Sequence, residues 1–236
     1  MQNKDIENEI MDNLLLDIRE CKYEFDDKMP SDNKLAEKYG VPRLKVRRVY
    51  EKLEQMGYIY SLQGRGRFLK RRGKYIELVL SGEESFTKKM LDAGYNLITK
   101  NVYCNRIPYN GYIFDQLKVD KSVPVYKIGR LRIVDGEPLA IHVSYVATNV
   151  FPNISADGKE ITSMFNYYSK NGYYNYKANE TSLEIAYSTS KERELLQCGE
   201  LVPLIKLKTN CIDTEKNRIL EYTETIYRGD KFVYKI

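Results

Sequence analysis

Hydrophobic residues near the start of the chain recur every three or four positions, which is the spacing of one face of an α-helix. One stripe predicts a helix over residues 5–20, and a second predicts a helix from Pro42 to about Met56 that stops at Gly57. The first stripe consists of Ile6, Ile10, Met11, Leu14, Leu15 and Ile18. The second consists of Val46, Val49, Tyr50, Leu53 and Met56. We expect the two faces to pack together in one small core.

A shorter helix is predicted between these two. Ser31 is its candidate N-cap, and Gly40 suits the left-handed position that ends it. Its apolar side consists of Leu35, Ala36 and Tyr39. A short helix, a tight turn and a second helix form a helix-turn-helix, in which the N-terminal residues of the second helix meet base edges in the major groove.

Two short strands are predicted after the second helix. Residues 58–61 and 67–70 flank the run Gln63-Gly64-Arg65-Gly66, whose glycines permit a tight turn and a close approach to phosphate. This addition makes a winged helix. Positive charge is concentrated in the same region, because residues 41–74 contain eleven Lys and Arg but only two acidic residues. Such a distribution is typical of a surface that contacts nucleic acid.

The pattern changes near residue 74, where we place the boundary between a DNA-binding domain, residues 1–74, and a second domain, residues 75–236. Tyrosines and alternating segments after it predict an α+β fold on one antiparallel sheet. Helices are expected over residues 85–94, 109–117, 159–169 and 191–196. Strands are expected over residues 123–134, 138–146, 203–212, 218–227 and 231–235, with the last three as antiparallel neighbours.

The hairpin signal Asp135-Gly136 determines which residues share a face of this sheet. A three-residue loop would place Arg130 opposite His142, whereas a two-residue loop would move His142 to the other face. On the strand near the C-terminus, a common face is expected for Glu221, Thr223, Thr225 and Tyr227.

Arginines at positions 130 and 132 could hold a phosphate or a carboxylate in a fork. A solvent-facing sheet with ordinary ion pairs explains the same pattern equally well. A second open question concerns the tyrosine-rich run, for which core or dimer interface is favoured over pocket wall because each ring buries a large area. The run consists of Tyr167, Tyr168, Tyr173, Tyr174 and Tyr176.

The composition excludes several classes of protein. The chain has 236 residues, 42% of them hydrophobic, and a net charge of +5, as in an ordinary globular protein. It has no run long enough to cross a bilayer and no signal-peptide pattern, so we expect a cytoplasmic protein without a membrane partner. Four scattered cysteines and a single histidine argue against disulfides and a zinc site. Neither a metal nor another cofactor is expected, and no nucleophile–base pair indicates an enzyme.

The first seventy residues closely resemble the DNA-binding domain of the GntR family of transcription regulators. The matching elements are Pro30-Ser31, Leu35-Ala36, Gly40-Val41, Arg43, Val46-Arg47-Arg48, Leu53, Gly57-Tyr58-Ile59 and Gln63-Gly64-Arg65-Gly66. The resemblance implies that Arg43 and Arg47 read base edges, while Asn33, Leu44 and Lys45 depart from the residue types common in the family. The DNA-binding set that it implies is Ser31, Asn33, Arg43, Leu44, Lys45, Arg47, Arg48, Gly64, Arg65 and Gly66.

The remaining residues resemble, more loosely, the UTRA ligand domain, which is the chorismate-lyase-like module of the HutC branch of that family. The matching elements are Ser85-Phe86, Arg130 to Arg132, Asp135 to Pro138, Ser144-Tyr145 and Leu220 to Arg228. The implied effector site consists of Ser85, Phe86, Arg130, Arg132, His142, Ser144, Glu221 and Tyr227. His142 stands where sugar-phosphate-sensing members carry a glutamate, and it lies either in the pocket or in the core.

The sequence therefore predicts a homodimeric transcription repressor that binds a palindromic operator in double-stranded DNA. A small anionic effector, such as a sugar phosphate or an organic acid, would release or modulate it. One alternative is a chorismate-lyase-like enzyme fused to a DNA-binding domain, although a fold alone does not carry an activity. The other is an architectural DNA-binding protein without an effector.

Overall fold

The computed structural model describes residues 2–70, 75–79 and 85–235, over which the chain forms two compact units. The first unit consists of Met1–Tyr75, Tyr187–Arg193 and Cys198–Pro203, and the second of Ile76–Ala186, Glu194–Gln197 and Leu204–Ile236. The predicted domain boundary at residue 74 lies outside the described residues and stays a prediction. None of the helices in the described ranges combines the length and hydrophobicity needed to cross a bilayer.

The N-terminal part of the first unit folds into helices and one antiparallel hairpin, as predicted. Its elements are α1 (Gln2–Arg19), α2 (Asp32–Tyr39), α3 (Arg43–Gln55), β1 (Ile59–Leu62) and β2 (Gly66–Leu69). The predicted apolar faces meet in one core. That core contains Ile10, Leu14, Met29, Leu35, Val46, Val49, Tyr50, Leu53, Ile59 and Leu69.

Local signals determine where α2 ends and α3 begins. The Ser31 hydroxyl accepts a hydrogen bond from the Lys34 backbone N–H at 3.2 Å, which satisfies a donor that the helix leaves unpaired. Gly40 ends α2 with a φ of +61°, a conformation that glycine adopts at little cost. Pro42 then caps α3, where its missing N–H removes no helical hydrogen bond. The tight turn of the helix-turn-helix follows from these three positions.

The rest of the chain is α+β. Its elements are β3 (Ile76–Val79), α4 (Phe86–Asp92), β4 (Leu97–Arg106), α5 (Gly111–Leu117), β5 (Val125–Val134), β6 (Glu137–Ala147), α6 (Ile154–Asp157), α7 (Met164–Lys170), β7 (Tyr176–Tyr187), α8 (Ser190–Leu196), β8 (Pro203–Asp213), β9 (Arg218–Arg228) and β10 (Phe232–Lys235). Six of the strands form one sheet in the order β4-β5-β6-β9-β8-β7. The pairs β4–β5, β5–β6, β6–β9 and β8–β9 are antiparallel.

Several predicted elements were wrong or missing. The sequence did not predict β3, β4 or β7, and the helix predicted over residues 159–169 is replaced by α6 and α7. Strand β10 is not an antiparallel neighbour of β9, because it pairs in parallel with β3 in a separate two-stranded sheet. A short loop after β9 was taken as evidence for a hairpin. Phe232 instead packs its ring 5.0 Å from the ring of Tyr227 and joins a core with Ile76 and Leu78.

The β5–β6 hairpin has a two-residue turn, one of the two loop lengths that the sequence left open. Val134 pairs with Glu137 across Asp135-Gly136, and both turn residues have positive φ, as a tight hairpin turn requires. A bulge then leaves Leu139 without a partner, so that Arg130 still lies opposite His142. The bulge compensates for the shorter turn, and His142 is therefore on the same face as the arginines.

The tyrosine-rich run is divided between core and surface. Tyr167, Tyr168 and Tyr173 are buried in a core cluster around Phe151, and Tyr176 packs against the same cluster. Tyr174, in contrast, is 71% exposed. The core interpretation is therefore correct for most of the run.

Candidate functional site

The residues predicted to contact DNA lie on the surface of the first unit. Lys45 is half-buried, and the others are exposed: Ser31, Asn33, Arg43, Leu44, Arg47, Arg48, Gly64, Arg65 and Gly66. Leu44 is 60% exposed, so its side chain is accessible to a partner. An α-helix fits the major groove of B-DNA, and exposed side chains at its N-terminus can reach base edges there.

The arginines of α3 have different surroundings. Arg43 is the first residue of the helix. Arg47 donates to Glu51 at 3.2 Å one turn further along, and Arg48 lies 3.8 Å from Glu7 of α1. The Arg47–Glu51 pair is solvent-exposed and therefore weak, so Arg47 can exchange its carboxylate for a phosphate at small cost. In the other pair the Arg48 side chain is 58% exposed, whereas that of Glu7 is only 15% exposed. Arg48 is the one that lies toward α1, which fits a phosphate contact at the side of the helix better than a base contact.

The wing turn is tight, as its two glycines predicted. Gly64 and Gly66 have φ values of +71° and +111°, which residues with a Cβ adopt only under strain. Arg65 is exposed between them. Arg67, by contrast, pairs with Asp32 and lies over the ring of Tyr50. Of the two arginines in the wing, Arg65 is therefore exposed to solvent, whereas Arg67 contacts other residues of the unit.

The second unit contains a cavity of about 190 Å³ over one face of its six-stranded sheet. Most of the predicted effector residues line it: Ser85, Phe86, Arg130, Arg132, His142, Glu221 and Tyr227. Ser144 is not among the lining residues, but its hydroxyl accepts a hydrogen bond from Arg130 Nη2. Ser144 therefore orients an arginine and does not form part of the wall. The Ser85 hydroxyl, at the wall, accepts from the Lys88 backbone N–H at 3.1 Å and caps α4.

Both arginines are buried, with 3% of each residue exposed. Arg132 Nη1 donates to Thr99 Oγ1 and, at 3.0 Å, to the Thr162 carbonyl. The Nε atoms of Arg130 and Arg132 are buried without any hydrogen-bond partner. Burial lowers the pKa of both guanidinium groups, and for Arg132 the neighbouring Arg130 lowers it further. Keeping both guanidinium groups charged inside the cavity is therefore costly, and a bound anion would offset that cost.

Other buried polar atoms around the cavity also lack partners. They include His142 Nε2, Glu221 Oε2 and the Tyr234 hydroxyl. The His142 ring packs edge-on against Phe86 and Tyr227, with centroid distances of 5.0 and 5.7 Å. Burial lowers the pKa of His142, and Arg132 and Arg130 lower it further, so the ring is neutral. Because native proteins rarely leave buried polar atoms unpaired, this concentration of them indicates a site for a polar ligand.

The sequence did not identify every residue of the wall. Thr181 and Thr209 lie on β7 and β8, and Tyr234 lies on β10, which the sequence placed in the wrong sheet. Thr223 and Thr225 were placed on the correct face by alternation, but nothing in the pattern assigned them to a site. Seven of the fifteen missed lining residues carry a hydroxyl group, so the wall offers both donors and acceptors next to the arginines.

Comparison with known proteins identifies both units. Residues 6–69 match the family model described as bacterial regulatory proteins, gntR family, and residues 92–233 match the UTRA domain. The chain belongs to the GntR family of regulators, in the group that carries a UTRA domain. It is 23% identical over 226 residues to the transcriptional repressor NagR of Bacillus subtilis, a match that covers 96% of this chain and 91% of NagR. It is 27% identical over 213 residues to the regulator TreR of the same organism, covering 86% and 84% of the two chains.

Solved structures show the same fold. The crystal structure of PhnF from Mycobacterium smegmatis has a TM-score of 0.62 and 20% identity, covering 94% of this chain and 96% of PhnF. A GntR-family transcriptional regulator of known structure has the same TM-score at 13% identity, covering 98% and 97% of the two chains. The GntR-family chain is thus a DNA-binding transcription regulator and not an enzyme, which confirms the predicted fold class and excludes the lyase alternative.

Proposed function

We propose that this GntR-family protein is a homodimeric repressor whose affinity for a palindromic operator is controlled by a small anionic metabolite bound in the second unit. Two symmetry-related winged helices would read two half-sites, because the symmetry of a dimer is mirrored in its operator. Arg43 and Arg47 would contact base edges, whereas Lys45, Arg48 and Arg65 would hold phosphates. Gly64 and Gly66 would let the wing approach the backbone.

One observation carries the effector half of this proposal. The cavity holds the buried guanidinium groups of Arg130 and Arg132, and the one acidic residue among its described lining residues is Glu221, which raises the pKa of both arginines less than burial lowers it. Arginine binds phosphate and carboxylate through two parallel hydrogen bonds, and both Nε atoms are available. A sugar phosphate or a small organic acid has a suitable charge. The hydroxyl groups of a sugar would also satisfy Glu221 and the threonines of the wall.

The same observation favours an effector-controlled repressor over an architectural DNA-binding protein. Such a protein has no use for two buried arginines that share a single neighbouring carboxylate, Glu221, because the desolvation of buried cations is costly. Coupling between an effector and operator affinity typically amounts to about 1–3 kcal/mol, or roughly 5- to 150-fold.

A two-step experiment would test the proposal. The protein is first screened by thermal shift against sugar phosphates, amino-sugar phosphates and small organic acids, because a binder raises the melting temperature by an amount that grows with the logarithm of its concentration over Kd. The operator is obtained separately by selecting random duplexes that the protein retains. A compound that stabilises the protein should then change its affinity for that duplex. Stabilisation without any change in DNA affinity would contradict the proposed coupling, and the absence of any anionic binder would contradict the site.

A further inference from the structure

His142 is the only histidine of the chain, and its position in the cavity suggests a role of its own. It lies at the centre of the sheet, opposite Arg130 on β5 and Thr225 on β9. The residue is 8% exposed and lines the cavity, yet its Nε2 has no hydrogen-bond partner. A histidine that served only to fill the core would normally have its ring nitrogens paired.

The groups around the ring determine when it can carry a proton. The titratable or charged residues that line the same cavity lie on five elements: Lys89 on α4, Arg130 and Arg132 on β5, Cys211 on β8, Glu221 and Tyr227 on β9, and Tyr234 on β10. Three of them are basic and one is acidic. This surplus of basic side chains disfavours a protonated ring unless an anion is bound.

We propose that His142 is a specificity-determining residue, which takes up a proton when a doubly charged oxyanion binds between it and the arginines. Such an anion cancels the local charge surplus and lets the ring join the two arginines as a cationic donor. A singly charged carboxylate offsets fewer of the cations and leaves the ring largely neutral. The site would thus favour a phosphate monoester, or another dianion of this shape, over a monocarboxylate. The inference rests on the proposed effector site and specifies its ligand.

Sulfate is a suitable probe, because it remains a dianion throughout the range in which histidine titrates. Binding of sulfate to the full-length chain is measured by calorimetry between pH 5.5 and 8.0, with formate as the monoanion. Proton uptake requires the affinity for sulfate to rise as the pH falls, by up to about tenfold per pH unit for one proton. The pH dependence for formate should be clearly smaller. An equal dependence for the two anions would overturn the specificity argument.

Two variants assign the proton to the histidine. His142→Gln keeps a polar side chain that does not titrate in this range, so its affinity for sulfate should be independent of pH. Tyr234→Phe removes another unpaired polar group of the same wall and should keep the slope of the wild type, whatever its affinity. A slope in His142→Gln equal to that of the wild type would mean that another group takes up the proton, and would overturn the inference.

Arg132→Ala separates the failure of this inference from the failure of the proposed site. If sulfate binds the wild type with a pH-independent affinity and Arg132→Ala abolishes that binding, the anion site stands and the role of His142 is wrong. If the wild type binds no sulfate at any pH, or Arg132→Ala binds it equally well, the cavity is not an anion site. In that case the inference and the effector half of the proposed function both fail.

Discussion

The guanidinium carbon of Arg67 lies 4.6 Å from the centroid of the Tyr50 ring, and the same guanidinium pairs with Asp32 at the start of α2. Tyr50 in turn donates its hydroxyl to the Pro30 carbonyl at 2.6 Å. These contacts connect strand β2 of the wing to both helices of the helix-turn-helix. Arg67 is therefore part of the framework that positions the wing, although its charge alone would suggest a phosphate contact.

Replacing each wing arginine with alanine should affect a different property: stability for Arg67 and DNA binding for Arg65. Arg67→Ala loses a charged hydrogen bond and a cation–π contact that are only partly exposed, so it should lower the free energy of unfolding by about 1–2 kcal/mol. Arg65→Ala, the matched control, should leave stability within about 0.5 kcal/mol but weaken DNA binding. Urea unfolding followed by circular dichroism and a DNA-binding assay measure the two effects. Equal stability of the two variants would contradict the assignment.

Arg43 should contribute specificity, not only charge. If it bonds to guanine in a bidentate manner, Arg43→Ala should cost about 1–3 kcal/mol of affinity for the selected operator and much less for random DNA. Lys22→Ala provides a control that removes the same charge. Lys22 forms ion pairs with Asp17 of α1 and with Glu20, which follows that helix. Fluorescence anisotropy with the operator and with random duplexes, at several salt concentrations, distinguishes a base contact from a phosphate contact. A uniform loss on all duplexes, with a smaller salt slope, would make Arg43 a phosphate contact instead.

The helices and the hairpin in the N-terminal part of the first unit could be predicted almost completely, because their signals are local. Ser31, Gly40 and Pro42 mark helix ends through backbone chemistry that acts within a few residues. Strand β7 could not be predicted, since an edge strand with mostly exposed side chains shows no hydrophobic alternation. The partner of β10 was also missed, because pairing with β3 joins segments from the two ends of the second unit.

The candidate site was predictable to the extent that its residues alternate on strands. Arg130 and Arg132 could be placed on one face, and so could Glu221 and Tyr227. The sheet face of His142 could not be derived, because it depends on a bulge at Leu139 that no residue type in the sequence indicates. Supporting contacts such as Thr99 were missed for a related reason. That residue lies on β4, a strand whose pattern is interrupted by its own bulge.

Arg130 should be required for the effector response but not for DNA binding. Arg130→Ala removes one of the two buried arginines of the cavity and the partner of Ser144. We expect the thermal shift caused by an anionic ligand to be lost, while the affinity for the operator without ligand stays within about twofold. Ser144→Ala keeps Arg130 but removes the hydroxyl that accepts its hydrogen bond, and it should weaken ligand binding by about 0.5–1.5 kcal/mol. A normally folded Arg130→Ala protein that still responds to the ligand would refute the placement of the effector.

Burial of neutral His142 should also make the stability of the ligand-free protein depend on pH. Its pKa is lowered in the folded protein, by burial first and by Arg132 and Arg130 next, whereas the unfolded chain keeps a pKa near 6.5. Below about pH 6.5 the unfolded state thus binds more protons, so stability decreases as the pH falls toward the lowered folded pKa, by up to about 1.4 kcal/mol per pH unit. Above that pH the contribution is constant.

His142→Gln provides the comparison, since carboxylates titrate in both proteins and cancel in the difference. The free energy of unfolding is measured in urea between pH 5 and pH 8 for both chains, with no multivalent anion in the buffer. The wild type should lose stability relative to His142→Gln as the pH is lowered from 6.5 to 5. Parallel curves would mean that the ring is already protonated or is accessible to water in the folded protein, and would remove the physical basis for its coupling to an anion.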